Sequence, residues 1–409
     1  SGLDAPSLNE RAFCPAELRH ELFDRFPRYQ FTPQGLGDLM RAGRVDDAVA
    51  AWMSLIGIQT AAAEYLIVNK QVDFFMTVYT ASDWGGHNLW SRSDRPAEGN
   101  ALLGIYRALD GAIERLLNLA SDETTVFVIS DHGMGPHTGA SYQLAEWLEA
   151  KGYMSRSGRQ QTRNSIIKSA RKAARSLLPV SVRELVKAGI GEERIGRLGA
   201  AEKNSFYSSI DWDGTLAYTE PGRHVININL EGRNAGGKVL RSEYEKICSK
   251  IVDDLNEWTD AQGRRIVDRV ARRDDVYAGP FTERASDLFV YWNPAARLGE
   301  PPEEVRDRGF WWSGDHRPEG ILISKGTGVR SNVLTTLPTV YDLVPTIMYA
   351  ASLPVPDKLD GRVIQELFTD EFLSANPVQL DSATSRSAGD QVRLSPEEEQ
   401  MVEDKLRGL

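Results

Sequence analysis

The chain has 409 residues, 41% of them hydrophobic and 26% charged, with a formal net charge of -10. That length can bury a substantial core as one large α/β domain or two smaller ones, and the acidic balance argues against a general nucleic-acid binder, whose footprint is a basic face. Two cysteines, Cys14 and Cys248, make neither a disulfide framework nor a metal-type pair and read as reduced thiols. No apolar run approaches the roughly 20 residues that cross a bilayer, and the first residues lack the basic-then-apolar order of a secretory signal, which favours a cytoplasmic location.

From Gln71 to Thr80 the chain is nearly continuous in apolar and β-branched residues, as expected of a central parallel strand covered on both faces. A helical pattern over Ala101 to Leu119 leads to a second such run, Thr124 to Ile129. Strand, helix, strand predicts a mostly parallel central sheet with helices on both faces. Ser155 to Lys187 carries nine Lys or Arg against one acid, Glu184, and its apolar residues recur at helical spacing. This segment reads as an inserted cap, either a basic helix on an acidic body or a surface that meets substrate or membrane. Strand-like pieces follow at Thr215 to Tyr218, Val225 to Leu230 and Asp287 to Trp292, and Pro338 to Ala350 reads as a helix. Beyond Phe372 the chain turns polar and Ser-rich until Ser395-Pro396-Glu397-Glu398 opens a capped helix. Composition thus divides the chain into a discontinuous core, 1–154 with 205–372, a basic insertion at 155–204, a linker at 373–394 and a terminal helix at 395–409.

Of six histidines, three lie in short Gly-flanked segments beside an aspartate: Asp83 with His87, Asp131 with His132, and Asp315 with His316. The first two clusters follow expected strands, where ligands collect in open α/β sheets. Carboxylate and neutral imidazole are the usual non-thiol ligands of zinc, and stiff turns can hold them in a coordination geometry. Each cluster alone has a plainer reading as a helix cap or a polar turn. Together they point to a metal site.

Ser130-Asp131-His132-Gly133-Met134 resembles the signature turn of the type I phosphodiesterase and nucleotide pyrophosphatase branch of the alkaline phosphatase superfamily. Asp83-Trp84-Gly85-Gly86-His87 resembles that branch's Asp-x-x-x-His turn, and Gly314-Asp315-His316 with Gly320-Ile321-Leu322 resembles its late Gly-x-His segment. The segments Ile210 to Tyr218, Ile228 to Arg233 and Leu337 to Gly361 are similar to its internal strands and C-terminal helix and loop. The resemblance implies an alkaline-phosphatase-like α/β fold with an inserted cap. It implies two divalent metal ions, with Asp83, His87 and His316 on the first and Asp131 and His132 on the second. Zinc is the expected ion, and manganese suits the same donors. The expected substrate is a small phosphorylated or nucleotide-like ester. Asp315 has no role in the family pattern and reads as a partner to His316. His137, in Gly135-Pro136-His137-Thr138-Gly139, is an accessory candidate.

The family pattern begins with a strand ending in a metal-binding Asp, then a Thr or Ser nucleophile at a helix start, and this sequence shows neither. Ser1 to Arg28 resembles the family's middle segment instead, so the chain is expected to start late and to hydrolyse poorly by itself. Competing expectations are a catalytically inactive binding module, or a related sulfatase, phosphomutase or phosphonate hydrolase. Trp84, Trp90, Trp311 and Trp312 suit either core packing or stacking on a nucleoside.

Overall fold

The computed structural model describes residues 13–33, 35–70, 72–90, 100–157, 206–234, 236–296, 298, 313–331 and 334–382. Its helices are α1 (Leu18–Arg25), α2 (Leu36–Arg41), α3 (Val45–Asn69), α4 (Ala81–Leu89), α5 (Ala101–Leu117), α6 (Ala140–Ala150), α7 (Tyr244–Asn256), α8 (Arg273–Val276), α9 (Leu343–Ala350) and α10 (Asp370–Ala375). Its strands are β1 (Val126–Ile129), β2 (Gly133–Pro136), β3 (Ala217–Tyr218), β4 (Val225–Ile228), β5 (Val267–Arg272), β6 (Leu288–Trp292), β7 (Gly314–Arg317), β8 (Leu322–Lys325), β9 (Val355–Pro356) and β10 (Leu380–Asp381). Most of the basic insertion, all of the terminal helix, and Trp311 and Trp312 lie outside the described residues.

The chain forms two compact units. Unit 1 comprises residues 1–59, 76–110 and 134–315. Its centre is an antiparallel sheet in the order β3-β4-β6-β5, with a bulge between Val267 and Arg269. Cys248, Ile251 and Leu255 fall on one face of α7 at helical spacing and are fully buried beside Ile226, Ile228 and Leu288 of the sheet. Trp147 of α6 stacks on Trp258, which meets Trp292 edge-on. The fully buried Asp287 carboxylate, just before β6, accepts two bonds from Arg233 at 2.8 and 2.6 Å. It takes a third from Tyr244 at 2.8 Å and a fourth from the Ile228 N–H at 2.6 Å.

Unit 2 comprises residues 60–75, 111–133 and 316–409. Here β1 pairs antiparallel with β8, Val126 opposite Lys325 and Ile129 opposite Leu322. Tyr349 of α9 packs with Val355, Val363, Ile364, Leu367 and Phe368. Asp342, just before α9, accepts from the Thr339 N–H at 2.7 Å, the Thr339 hydroxyl at 3.1 Å and the Arg362 N–H at 2.8 Å.

The α/β class agrees with the sequence, and β1, β3, β4, β6, α5 and α9 form within the segments read as strand and helix. Ladder direction differs. Among the described residues β9 pairs parallel with β10, whereas β1–β8 and the four-stranded sheet are antiparallel. The short link from β3 to β4 turns the chain straight back, whereas a parallel neighbour needs a crossover of about a dozen residues or more. The segment 72–80, expected as a buried central strand, has no regular secondary structure and joins no described sheet, and Phe74 and Met76 are each 61% exposed. A segment outside any sheet has no neighbouring strand to cover its faces. Regular structure also continues past Phe372, since α10 runs to Ala375 and β10 pairs with β9.

Helix α3 buries Val45, Ala48, Val49, Trp52, Leu55 and Ile56 at helical spacing. At 25 residues it is long and apolar enough, by length and composition only, to cross a membrane. This corrects the sequence reading: Ser54, Gln59, Thr60 and Glu64 interrupt the apolar run without removing its overall hydrophobic character.

Candidate functional site

Asp83 and His87 of unit 1 lie on α4, not in the Gly-rich turn expected. Their spacing of four puts both on one face of the helix, with His87 Nε2 3.3 Å from Asp83 Oδ1. Gly85 and Gly86 are buried: a Cβ on the first would strike Ile105, and one on the second would strike Met134. His87 Nδ1 lies 2.9 Å from the Gly314 carbonyl oxygen, and the Ser313 N–H donates to the His87 carbonyl at 2.7 Å. A Cβ on Gly314 would collide with the Gly86 carbonyl, so this approach of β7 to α4 requires glycine.

A carbonyl only accepts, so His87 carries a proton on Nδ1, and the neutral ring then directs the Nε2 lone pair at a carboxylate. Two lone-pair groups facing each other need a cation between them, either a proton or a metal ion. Burial alone would lower the pKa of His87, but the Asp83 hydrogen bond, the Gly314 carbonyl and the charges of Asp83 and Asp315 raise it above the ordinary histidine value. A metal ion would answer the same electrostatic demand.

In unit 2, the β1–β8 ladder runs on into the turn after Ile129. The Ser130 N–H donates to the Ile321 carbonyl at 3.1 Å, and the Ile321 N–H donates to Ser130 Oγ at 2.8 Å. A Cβ on Gly133 would strike the Glu319 carbonyl, which accounts for that glycine. Asp131 is 83% exposed at its side chain. Its Oδ1 accepts the His132 N–H at 3.1 Å and lies 3.6 Å from His132 Nε2. His132 Nδ1 is 3.0 Å from the Gly133 carbonyl. His132 thus repeats the His87 arrangement, with Nδ1 held by a backbone carbonyl and Nε2 turned to a carboxylate. The His316 ring stacks on that of His132 with centroids 3.7 Å apart.

Unit 1 thus pairs Asp83 with His87, and unit 2 gathers Asp131, His132 and His316. Asp83, His132 and His316 each offer an atom suited to a metal ion. The donors fit a divalent cation: carboxylates beside imidazoles whose outer nitrogens are fixed by carbonyls. Trp84 and Trp90 are both partly buried. Asp315 in β7 meets two further histidines in unit 1, His137 Nε2 at 3.8 Å and His224 Nε2 at 3.6 Å. Sequence reasoning passed over His224, which has no neighbouring Asp and follows an ordinary Pro-Gly turn.

The sequence model described as type I phosphodiesterase / nucleotide pyrophosphatase matches residues 28–316. A search of curated proteins found no match. Among solved structures, the crystal structure of wild-type alkaline phosphatase PafA is similar at 14% identity and a TM-score of 0.40, over 78% of this chain and 53% of that one. The chain therefore spans about half the length of that protein.

Proposed function

We propose that this chain, which belongs to the type I phosphodiesterase / nucleotide pyrophosphatase family, is a metal-dependent phosphoester hydrolase. In this reading Asp83, His87 and His316 hold one divalent ion, and Asp131 and His132 contribute to a second. The observation that carries it is the shared geometry of His87 and His132, each with Nδ1 on a carbonyl and Nε2 facing an aspartate. Two such ions, when bound, polarise phosphoryl oxygens and offset charge on attacking and leaving groups. The chain's own residues orient the donors: Gly314 and Gly133 fix the two rings, and Asp83 and Asp131 supply the negative charge that attracts a cation. The substrate class is a small phosphodiester or nucleotide-like pyrophosphate, and zinc is the assigned ion, since carboxylate and imidazole suit it well.

Elemental analysis of the chelator-free chain, wild type against His316→Ala, tests the metal assignment. Bound zinc or manganese that falls in the variant is expected. Hydrolysis by the metal-loaded chain, expected to be slow, should be faster on a p-nitrophenyl phosphodiester than on the corresponding phosphate monoester or sulfate ester. A wild-type chain that takes up no metal, or a sulfate ester cleaved fastest, would sink the proposal.

A further inference from the structure

The side chain of His137 is only 4% exposed, and its Nδ1 accepts the Gly139 N–H at 2.8 Å. A backbone N–H can only donate, so this nitrogen carries the lone pair and the neutral ring bears its proton on Nε2. That is the opposite tautomer to His87. Its Nε2 faces Asp315 Oδ2 at 3.8 Å, and its ring stacks on Tyr142 with centroids 5.0 Å apart. A ring with Nδ1 committed to an N–H and Nε2 carrying a proton has no lone pair for a metal. It is suited to holding a carboxylate.

The backbone links residue His137 to His87. The His137 N–H donates to the Ser313 carbonyl at 2.9 Å, and the Ser313 N–H donates to the His87 carbonyl at 2.7 Å. The Gly314 carbonyl then takes His87 Nδ1 at 2.9 Å. Residues 313–315 are therefore held by His137 on one side and by His87 on the other. His224, just before β4, adds a contact to the same Asp315 oxygen.

We infer that His137 is a positioning residue: through Asp315 its ring sets β7 against α4, and so sets how tightly the site built on His87 holds a metal ion. The inference rests on the metal assignment proposed above. Loosening His137 lets the Gly314 carbonyl drift, the His87 ring turn and its Nε2 leave Asp83. Loss of such an outer partner typically weakens metal binding about 10–100-fold.

The test is zinc affinity of the full chain by competition with a chromophoric chelator, together with the visible spectrum of the cobalt-substituted form. His137→Phe keeps the ring stack on Tyr142 but has no polar nitrogen, and His137→Gln restores a donor and an acceptor. The expected result is a loss of about 10–100-fold in zinc affinity and an altered cobalt spectrum for His137→Phe, with His137→Gln recovering much of both. If His137→Phe does not fold, Asp315→Asn, which removes the carboxylate charge at constant shape, should show the same loss. Wild-type affinity and spectrum in the folded variant would overturn the inference alone. A wild-type chain that binds no zinc would overturn the metal assignment and this inference with it.

Discussion

Replacing Asp287 should destabilise unit 1 about as much as truncating one of its largest core side chains. Its carboxylate is wholly buried and accepts four hydrogen bonds, with the Arg273 guanidinium 3.7 Å away as a second cation. Asp287→Ala leaves Arg233, the Tyr244 hydroxyl and the Ile228 N–H without their acceptor. Removing one partner of a buried ion pair costs about 3–5 kcal/mol. Asp287→Asn keeps an acceptor oxygen but turns an NH2 group toward donors, and should cost about 2 kcal/mol. Pairing Asp287→Leu with Arg233→Met removes both charges together and should recover much of the loss, because an apolar pair of similar volume has no ion to desolvate. All nine tryptophans fall within the residues of unit 1, so tryptophan fluorescence during guanidinium unfolding reports that unit. At a slope of about 4 kcal/mol per molar, the Asp287→Ala midpoint should move by roughly 1 M. An Asp287→Ala midpoint close to wild type, or a double variant as weak as the sum of the singles, would refute the argument.

Unit 2 should carry an acid-sensitive element at Asp342. Burial alone would raise its pKa, but the Thr339 and Arg362 hydrogen bonds outweigh burial and hold it below the ordinary aspartate value. A depressed folded-state pKa contributes stability that is present above the unfolded value of about 3.9 and is lost as pH falls through the folded value. Protection factors of the 339–364 amides, taken relative to intrinsic exchange at each pH, should therefore fall below about pH 4 in the wild type. Asp342→Asn should exchange faster at neutral pH and show a shallower acid dependence, and an unchanged acid profile would contradict this. The thiols should differ sharply. Burial, and secondarily the Asp287 charge, push the Cys248 thiol up to about 11, which leaves roughly a thousandth of it as thiolate at pH 8. Exposed Cys14 should react with a disulfide reagent in the native state, and Cys248 only after denaturant is added. Labelling of both at one rate would refute the burial argument.

The local parts of the site were legible in the sequence. A β-branched run ending in Ser-Asp-His-Gly marks both β1 and the turn after it, because strand and donors are contiguous. Asp83 and His87 were read as donors, yet their helix was not, because paired glycines after an extended run are a turn signal. The spacing of four was the clue that pointed to a shared helical face. The exposure of 72–80 and the antiparallel β1–β8 ladder were not legible, since both depend on which distant segment lies alongside. The same holds for the convergence of His137 and His224 on Asp315: three elements meet there, and none carries a local mark of the other two.

The two glycines of α4 also govern when the Asp83 and His87 donors come together. Each costs about 1 kcal/mol of helix propensity relative to alanine, and a nine-residue helix is marginal in water without packing. The pair therefore assembles only once Gly85 lies against Ile105 and Gly86 against Met134. An unfolded chain offers no preformed grip, so an ion held there counts wholly toward the folded state. Each tenfold excess of free ion over its dissociation constant then adds about 1.4 kcal/mol to stability. On the metal assignment proposed above, a segment that is a poor helix by itself would thus couple ion binding to the folding of unit 1.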